Sequence, residues 1–178
     1  MRTKDADIIQ RLGRSNLYTE FKNAFGASTG LPLTLRPFEF WQLAHRSQPY
    51  ENPFCAMIAQ TNRGCSAYLE AEQRVVSAAE DRSATIRCFA DLCHTAVPIK
   101  LGERTIGFLL TGQIALDLPS PDRFEAIARQ VTEWGSPSTE CAWRTPTTIP
   151  ECFRRTNMLG SSVSWKSLLN SFRPSQIE

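Results

Sequence analysis

The sequence predicts a domain of α+β class, and three observations carry that reading. Residues 84–116 hold three runs rich in β-formers, the last two joined by the turn formers Gly102 and Glu103, as in a hairpin. Before and after this block, apolar residues recur at intervals of three and four, the spacing of a helix with one buried face. The chain has 178 residues, 42% of them hydrophobic and 21% charged, which is the make-up of one globular domain with an added terminal segment. A chain of this length buries roughly two thirds of its unfolded surface and folds without a staple.

The elements follow in order. Ile8, Ile9, Leu12, Leu17, Phe21, Ala24 and Phe25 mark one helix or two short ones across Asp5–Phe25, with Ser15 as the N-cap between them and Gly26 and Gly30 ending the run. Residues 31–36 alternate apolar and polar like a strand that Pro37 curtails. Residues 46–53 read as a loop of turn formers. Cys65–Ala79 is a helix by spacing (Leu69, Glu72, Val76, Ala79), broken by Asp81 and Ser83. Thr85–Cys88 and Ala96–Leu101 are strands. Thr105–Leu116 is apolar almost throughout, so it belongs in the middle of the sheet with both faces covered. Ser120 caps a last helix, Pro121 takes its first position, and Phe124, Ile127, Ala128 and Val131 form its buried face up to Trp134 and Gly135.

Residues 135–150 are rich in Pro, Ser and Thr and read as a linker. The tail, 151–178, carries Phe153, Met158, Leu159, Val163, Trp165, Leu168 and Leu169, and is expected to be helical and to pack on the domain or on a dimer partner. A net charge of +2, with both signs interspersed, argues against direct binding to DNA or to an anionic membrane. The N-terminus lacks the apolar core of a signal peptide, and no stretch is long enough to span a bilayer, so a cytoplasmic location is expected. In that compartment the six cysteines (Cys55, Cys65, Cys88, Cys93, Cys141, Cys152) are expected to be reduced.

Nucleophilic catalysis needs a Cys or Ser beside a His, and the chain holds two histidines, His45 and His94. His94 follows Cys93, but neighbours on a strand point to opposite faces. Phosphate-binding loops, dinucleotide fingerprints and nucleophile elbows are missing from the sequence. An enzyme is therefore not expected. Cys55, Cys65, Cys88 and Cys93 would suffice as thiolate ligands for zinc or an iron–sulfur cluster, but they lack the CxxC knuckle that marks such sites, and free cysteine is often buried as a small apolar group. Trp41 sits in an aromatic patch with Phe38 and Phe40, between a strand and a loop, where pocket walls are found. Gln113 is a lone amide in an otherwise apolar run, and a buried amide must find hydrogen bonds from protein, water or ligand.

Several of these residues occur as separated motifs in one order: Asn52, Pro53, Phe54 and Cys55; then Cys65; then Cys88 to Cys93; then Val97, Pro98 and Ile99; then Ile106–Phe108 with Thr111, Gly112 and Gln113. In this the chain resembles the PocR ligand-binding sensory domain family over about residues 15–134, with an extension through the tail. Asp91 stands where the family pattern has Gly, at a place suited to positive φ.

The resemblance implies a PAS-like antiparallel sheet flanked by helices, with a pocket between them. It implies a sensor of small hydrocarbon derivatives such as diols, set before a DNA-binding output domain in AraC-type regulators or within signalling kinases. Residues 1–134 would form the sensory domain. The matching family positions are Cys55, Cys65, Cys88 and Gln113. Cys93 and His94 are added to the expected ligand site for their proximity to these positions, and Trp41 and Phe54 for their apolar rings. Expected partners are a small-molecule ligand and a second copy of the chain, with DNA reached only through an output domain beyond Glu178. The alternative is a metal or iron–sulfur redox sensor using Cys55, Cys65, Cys88 and Cys93.

Overall fold

The structure is a computed structural model and describes residues 2–38, 46, 48–117 and 120–135. Trp41, His45, Cys141, Cys152, the linker from 136 onward and the tail lie outside the described residues. Within them the order is α1 (Arg2–Gly13), α2 (Asn16–Thr29), β1 (Leu33–Pro37), α3 (Pro53–Ile58), α4 (Asn62–Ala78), β2 (Ala84–Arg87), β3 (Cys93–Leu101), β4 (Arg104–Ile114) and α5 (Pro121–Glu133). The strands form one antiparallel sheet in the order β1-β4-β3-β2. This is the α+β, PAS-like arrangement.

Local chemistry sets most boundaries. The Ser15 hydroxyl accepts from the Tyr18 N–H and so starts α2, and Gly30 closes that helix at φ 68°. Gly26, expected to end the helix, instead lies within it, and the Tyr50 ring packs where a Cβ would stand, so glycine is there for space. The Ser120 side chain caps α5, with Pro121 in its first turn. The strand expected over Thr85–Cys88 spans Ala84–Arg87, and β3 begins three residues before the expected Ala96. One helix was not legible: α3 occupies six residues after the turn formers, capped by Asn52.

The long apolar run becomes β4, an interior strand with burial through most of its length. Alternation along it divides the sheet into two faces. On one face Phe108 and Leu110, with Ala96 of β3, pack against Val75 and Ala79 of α4. On the other face Gly107 lies against Ile9 of α1, and Leu35 lies near Gly13. The Arg104 guanidinium meets Asp5 at 2.8 Å and fixes α1 to the start of β4. A third layer of side chains joins Phe54, Cys55 and Ile58 of α3 to Leu92, Ala115, and Ile127 and Val131 of α5.

The β3–β4 ladder shifts register twice, at Ile99/Lys100 near the hairpin end and at Cys93/His94 beside α3 and α4. Cys93 pairs with Ile114 and His94 with Gly112, so Gln113 is an extra residue without a partner, a β-bulge. Gly112 (φ 136°) and Gln113 (φ 61°) both carry positive φ. A Cβ on Gly112 would strike the Cys93 carbonyl and lie 2.8 Å from the His94 Cα. The conformation and the space therefore both require glycine at 112. Gly30 also has positive φ but faces open space.

These two glycines give a paired prediction. Gly30→Ala should cost about 1 kcal/mol, for backbone strain alone. Gly112→Ala should cost clearly more, roughly 2–4 kcal/mol, since the strand must also move. Denaturant midpoints of the two variants, read beside the parent protein, check the order.

Candidate functional site

Regular alternation would put Gln113 on the same sheet face as Thr111, away from α4. The bulge reverses it toward α3 and α4, and there it is 1% exposed. Its Oε1 accepts from the Asn52 backbone N–H at 2.8 Å, and its Nε2 donates to the Tyr68 hydroxyl at 2.7 Å. The Gln113 carbonyl accepts from Asn52 Nδ2 at 2.9 Å, while Asn52 Oδ1 accepts from the Phe54 N–H at 2.9 Å. One buried amide thus joins the sheet to the cap of α3 and to the first half of α4. Unmade hydrogen bonds at such depth would cost about 1–3 kcal/mol each, so the network fixes one arrangement of these elements.

The surroundings of Tyr68 are polar for a domain interior. The His94 ring lies 5.7 Å from the Tyr68 ring, centroid to centroid, and is buried. Glu72, one helical turn after Tyr68, is also buried. Burial pushes the Tyr68 hydroxyl well above its ordinary pKa, and the charges of Glu72, Cys55 and Glu51 push it further. It remains a neutral phenol. Burial lowers His94 to about 4, so its imidazole is neutral at pH 7. The result is a set of neutral donors and acceptors (a carboxamide, a phenol and an imidazole) beside buried carboxyl groups. Such a set can hold a polar guest by hydrogen bonds.

The expected site residues divide clearly. Phe54 and Cys55 pack in the α3 cluster, and Cys88 borders it. Cys65 lies beside Ala59, Tyr68 and Leu69. With His94 and Gln113 these residues surround the α3–α4 junction. Cys93 does not join them: it packs with Leu31, Ile114 and Phe25, because alternation along β3 turns it away from His94. Trp41 lies outside the described residues. The four thiols expected as metal ligands are therefore spread over three separate apolar clusters. Among the described residues no group of three or more His, Cys, Asp or Glu side chains is placed to hold a metal ion. Burial also pushes the Cys88 and Cys93 thiols up, which favours the protonated form over the thiolate that metals and nucleophilic chemistry need. Cys93 is a small apolar core residue here.

Sequence reasoning missed Tyr68, because the spacing followed in α4 ran through Leu69, Glu72 and Val76 while the buried face runs through Tyr68, Ala71, Glu72 and Val75; it also missed the role of Asn52, a residue of the first motif. An open groove of about 420 Å³ lies elsewhere, between residues 60–63 and 133–135, and shares no residue with the network.

A family description, "Sensory domain found in PocR", matches residues 15–163. The chain belongs to this PocR sensory-domain family. The match runs past Trp134, the expected end of the domain, and into the tail. Searches of curated proteins and of solved structures each found no match. Among the described residues no helix is long and apolar enough to cross a membrane.

Two predictions concern the network. Tyr68→Phe should lower stability by about 1–3 kcal/mol, because Gln113 Nε2 loses its buried acceptor, and denaturant unfolding reads this directly. The second concerns pH. Unfolded His94 takes up a proton near 6.5, whereas the folded protein resists until about 4. The unfolded state binds more protons between those values, so this contribution is complete above about pH 6.5, declines as pH falls, and is lost by about pH 4. Carboxyl groups titrate in the same window, so the comparison is with His94→Gln. The parent should lose up to about 3 kcal/mol more than the variant on acidification.

Proposed function

We propose that this domain is the ligand-sensing part of a bacterial-type transcription regulator, and that it works by binding rather than by catalysis. The guest is a small hydrocarbon derivative with at least one hydroxyl or comparable polar group. Its place is the α3–α4 junction, where Phe54 and Cys55 supply apolar contact and Gln113, Tyr68 and His94 supply hydrogen bonds. One observation supports this reading above others: a β-bulge turns a polar side chain inward, at the cost of positive φ in a non-glycine residue, to meet polar partners in the interior. Strain of this kind persists where the surroundings fix it, and it gathers at functional sites.

A ligand transmits a signal only by binding two conformations differently. The network supplies the means. A guest that takes over a bond to Gln113 or Tyr68 changes the hold on Asn52, and with it the seat of α3. Trp41 belongs to the same proposal as a residue that meets the guest. We place the protein in the cytoplasm as a homodimer, acting on DNA through an output domain outside this chain.

A thermal-shift panel of small alcohols, diols and aromatic alcohols tests this. A true ligand at a hundred times its Kd should stabilise the protein by about 2.7 kcal/mol. A flat response across the whole panel would count against the sensor reading.

A further inference from the structure

The residue at the family's glycine position carries information of its own. Asp91 has φ 58°, the left-handed conformation that glycine adopts freely and Asp adopts at a cost. It sits in a tight turn between β2 and β3, where its N–H donates to the Cys88 carbonyl and the Cys88 N–H donates to the Leu92 carbonyl. Its carboxylate meets Arg123 twice, at 2.7 Å from Nε and 3.2 Å from Nη2, and the same Nη2 donates to the Phe89 carbonyl at 2.7 Å. Arg123 is the third residue of α5, close to its N-terminus, where a cation is disfavoured by the helix dipole. Both residues therefore occupy positions that are poor for them alone and good for them together.

The remaining hold on α5 is apolar. Ile127 and Val131 are buried with Phe54, Cys55 and Ile58 of α3 and with Ala90, Leu92 and Ala115, and Phe124 packs against the same cluster. Trp134, just past the helix, rests on Phe89 with ring centroids 4.7 Å apart. Phe89 in turn lies 6.4 Å from Phe54. The turn at 88–92 and α3 thus form a single seat for α5, and α3 is the element that Asn52 ties to Gln113.

We infer that Arg123 and Asp91 form an electrostatic latch that holds α5 on this seat, and that α5 is the element whose docking reports the state of the interior. The latch itself rests only on the geometry of the turn and helix. Its use in signalling rests on the sensor reading above. The pair is partly exposed, with side-chain exposures of 44% for Arg123 and 34% for Asp91, so salt weakens it. α5 is the last described element of the chain.

Hydrogen exchange on the full chain without any ligand tests the latch separately from the sensor reading. In Arg123→Gln and in Asp91→Asn, which keeps a residue tolerant of positive φ, exchange across residues 121–135 should rise about threefold, while α4 and β4 keep their protection. High salt should bring the parent protein toward the variants and leave the variants nearly unchanged. Unchanged exchange in α5 for both variants overturns the latch, as does a rise spread equally over all elements. A ligand from the thermal-shift panel, once found, should alter exchange in 121–135 of the parent. If the latch holds but no ligand does so, the signalling role fails and the latch stands as a structural clasp.

Discussion

The structure depends on one buried carboxamide. Gln113 bonds at once to the backbone of the segment before α3 and to a hydroxyl on α4, and its own carbonyl holds the Asn52 side chain. None of these partners is near it in sequence. The apolar packing of Phe108, Leu110, Val75 and Ala79 would hold α4 on the sheet without it, but apolar contact does not fix register or angle. The amide does. The bulge and the glycine before it follow from this requirement: Gly112 lets β4 pass close to the Cys93 carbonyl, and the extra residue turns the side chain inward.

Histidine and cysteine take quieter parts than their chemistry permits. His94 is buried against Tyr68 and stays neutral at physiological pH, so it is no charge switch in that range. The thiols of Cys55, Cys65 and Cys88 fill the space around α3 and the start of α4, while Cys93 belongs to a different cluster on the far side of β3. Among the described residues these four cysteines pack in apolar clusters. The polar character of the α3–α4 junction comes from Asn52, Tyr68, Glu72, His94 and Gln113.

Much of this was legible in the sequence, and the reason differs from element to element. Ser15, Gly30 and Ser120 act on groups within a few residues, so their caps are local and readable. The interior place of β4 followed from its nearly continuous apolar run. Gln113 stood out because an amide in such a run demands partners, but which partners depended on a bulge, and a bulge is a property of two strands together. α3 escaped because six residues give no period to read and the proline and asparagine before it suggest a turn. Asp91 was noted as a departure from glycine. Its compensation, an arginine 32 positions along the chain, lies beyond any local pattern.

The central claim is that the interior polar groups at the α3–α4 junction meet the guest. Side-chain amide resonances of Gln113 and Asn52, followed by NMR during titration with whichever small alcohol or diol stabilises the protein, report on that claim directly. The account predicts that both amide pairs shift saturably and together, with the Tyr68 ring signals following. Saturable shifts confined to the groove at residues 60–63 and 133–135, with Gln113 and Asn52 unmoved, would contradict it.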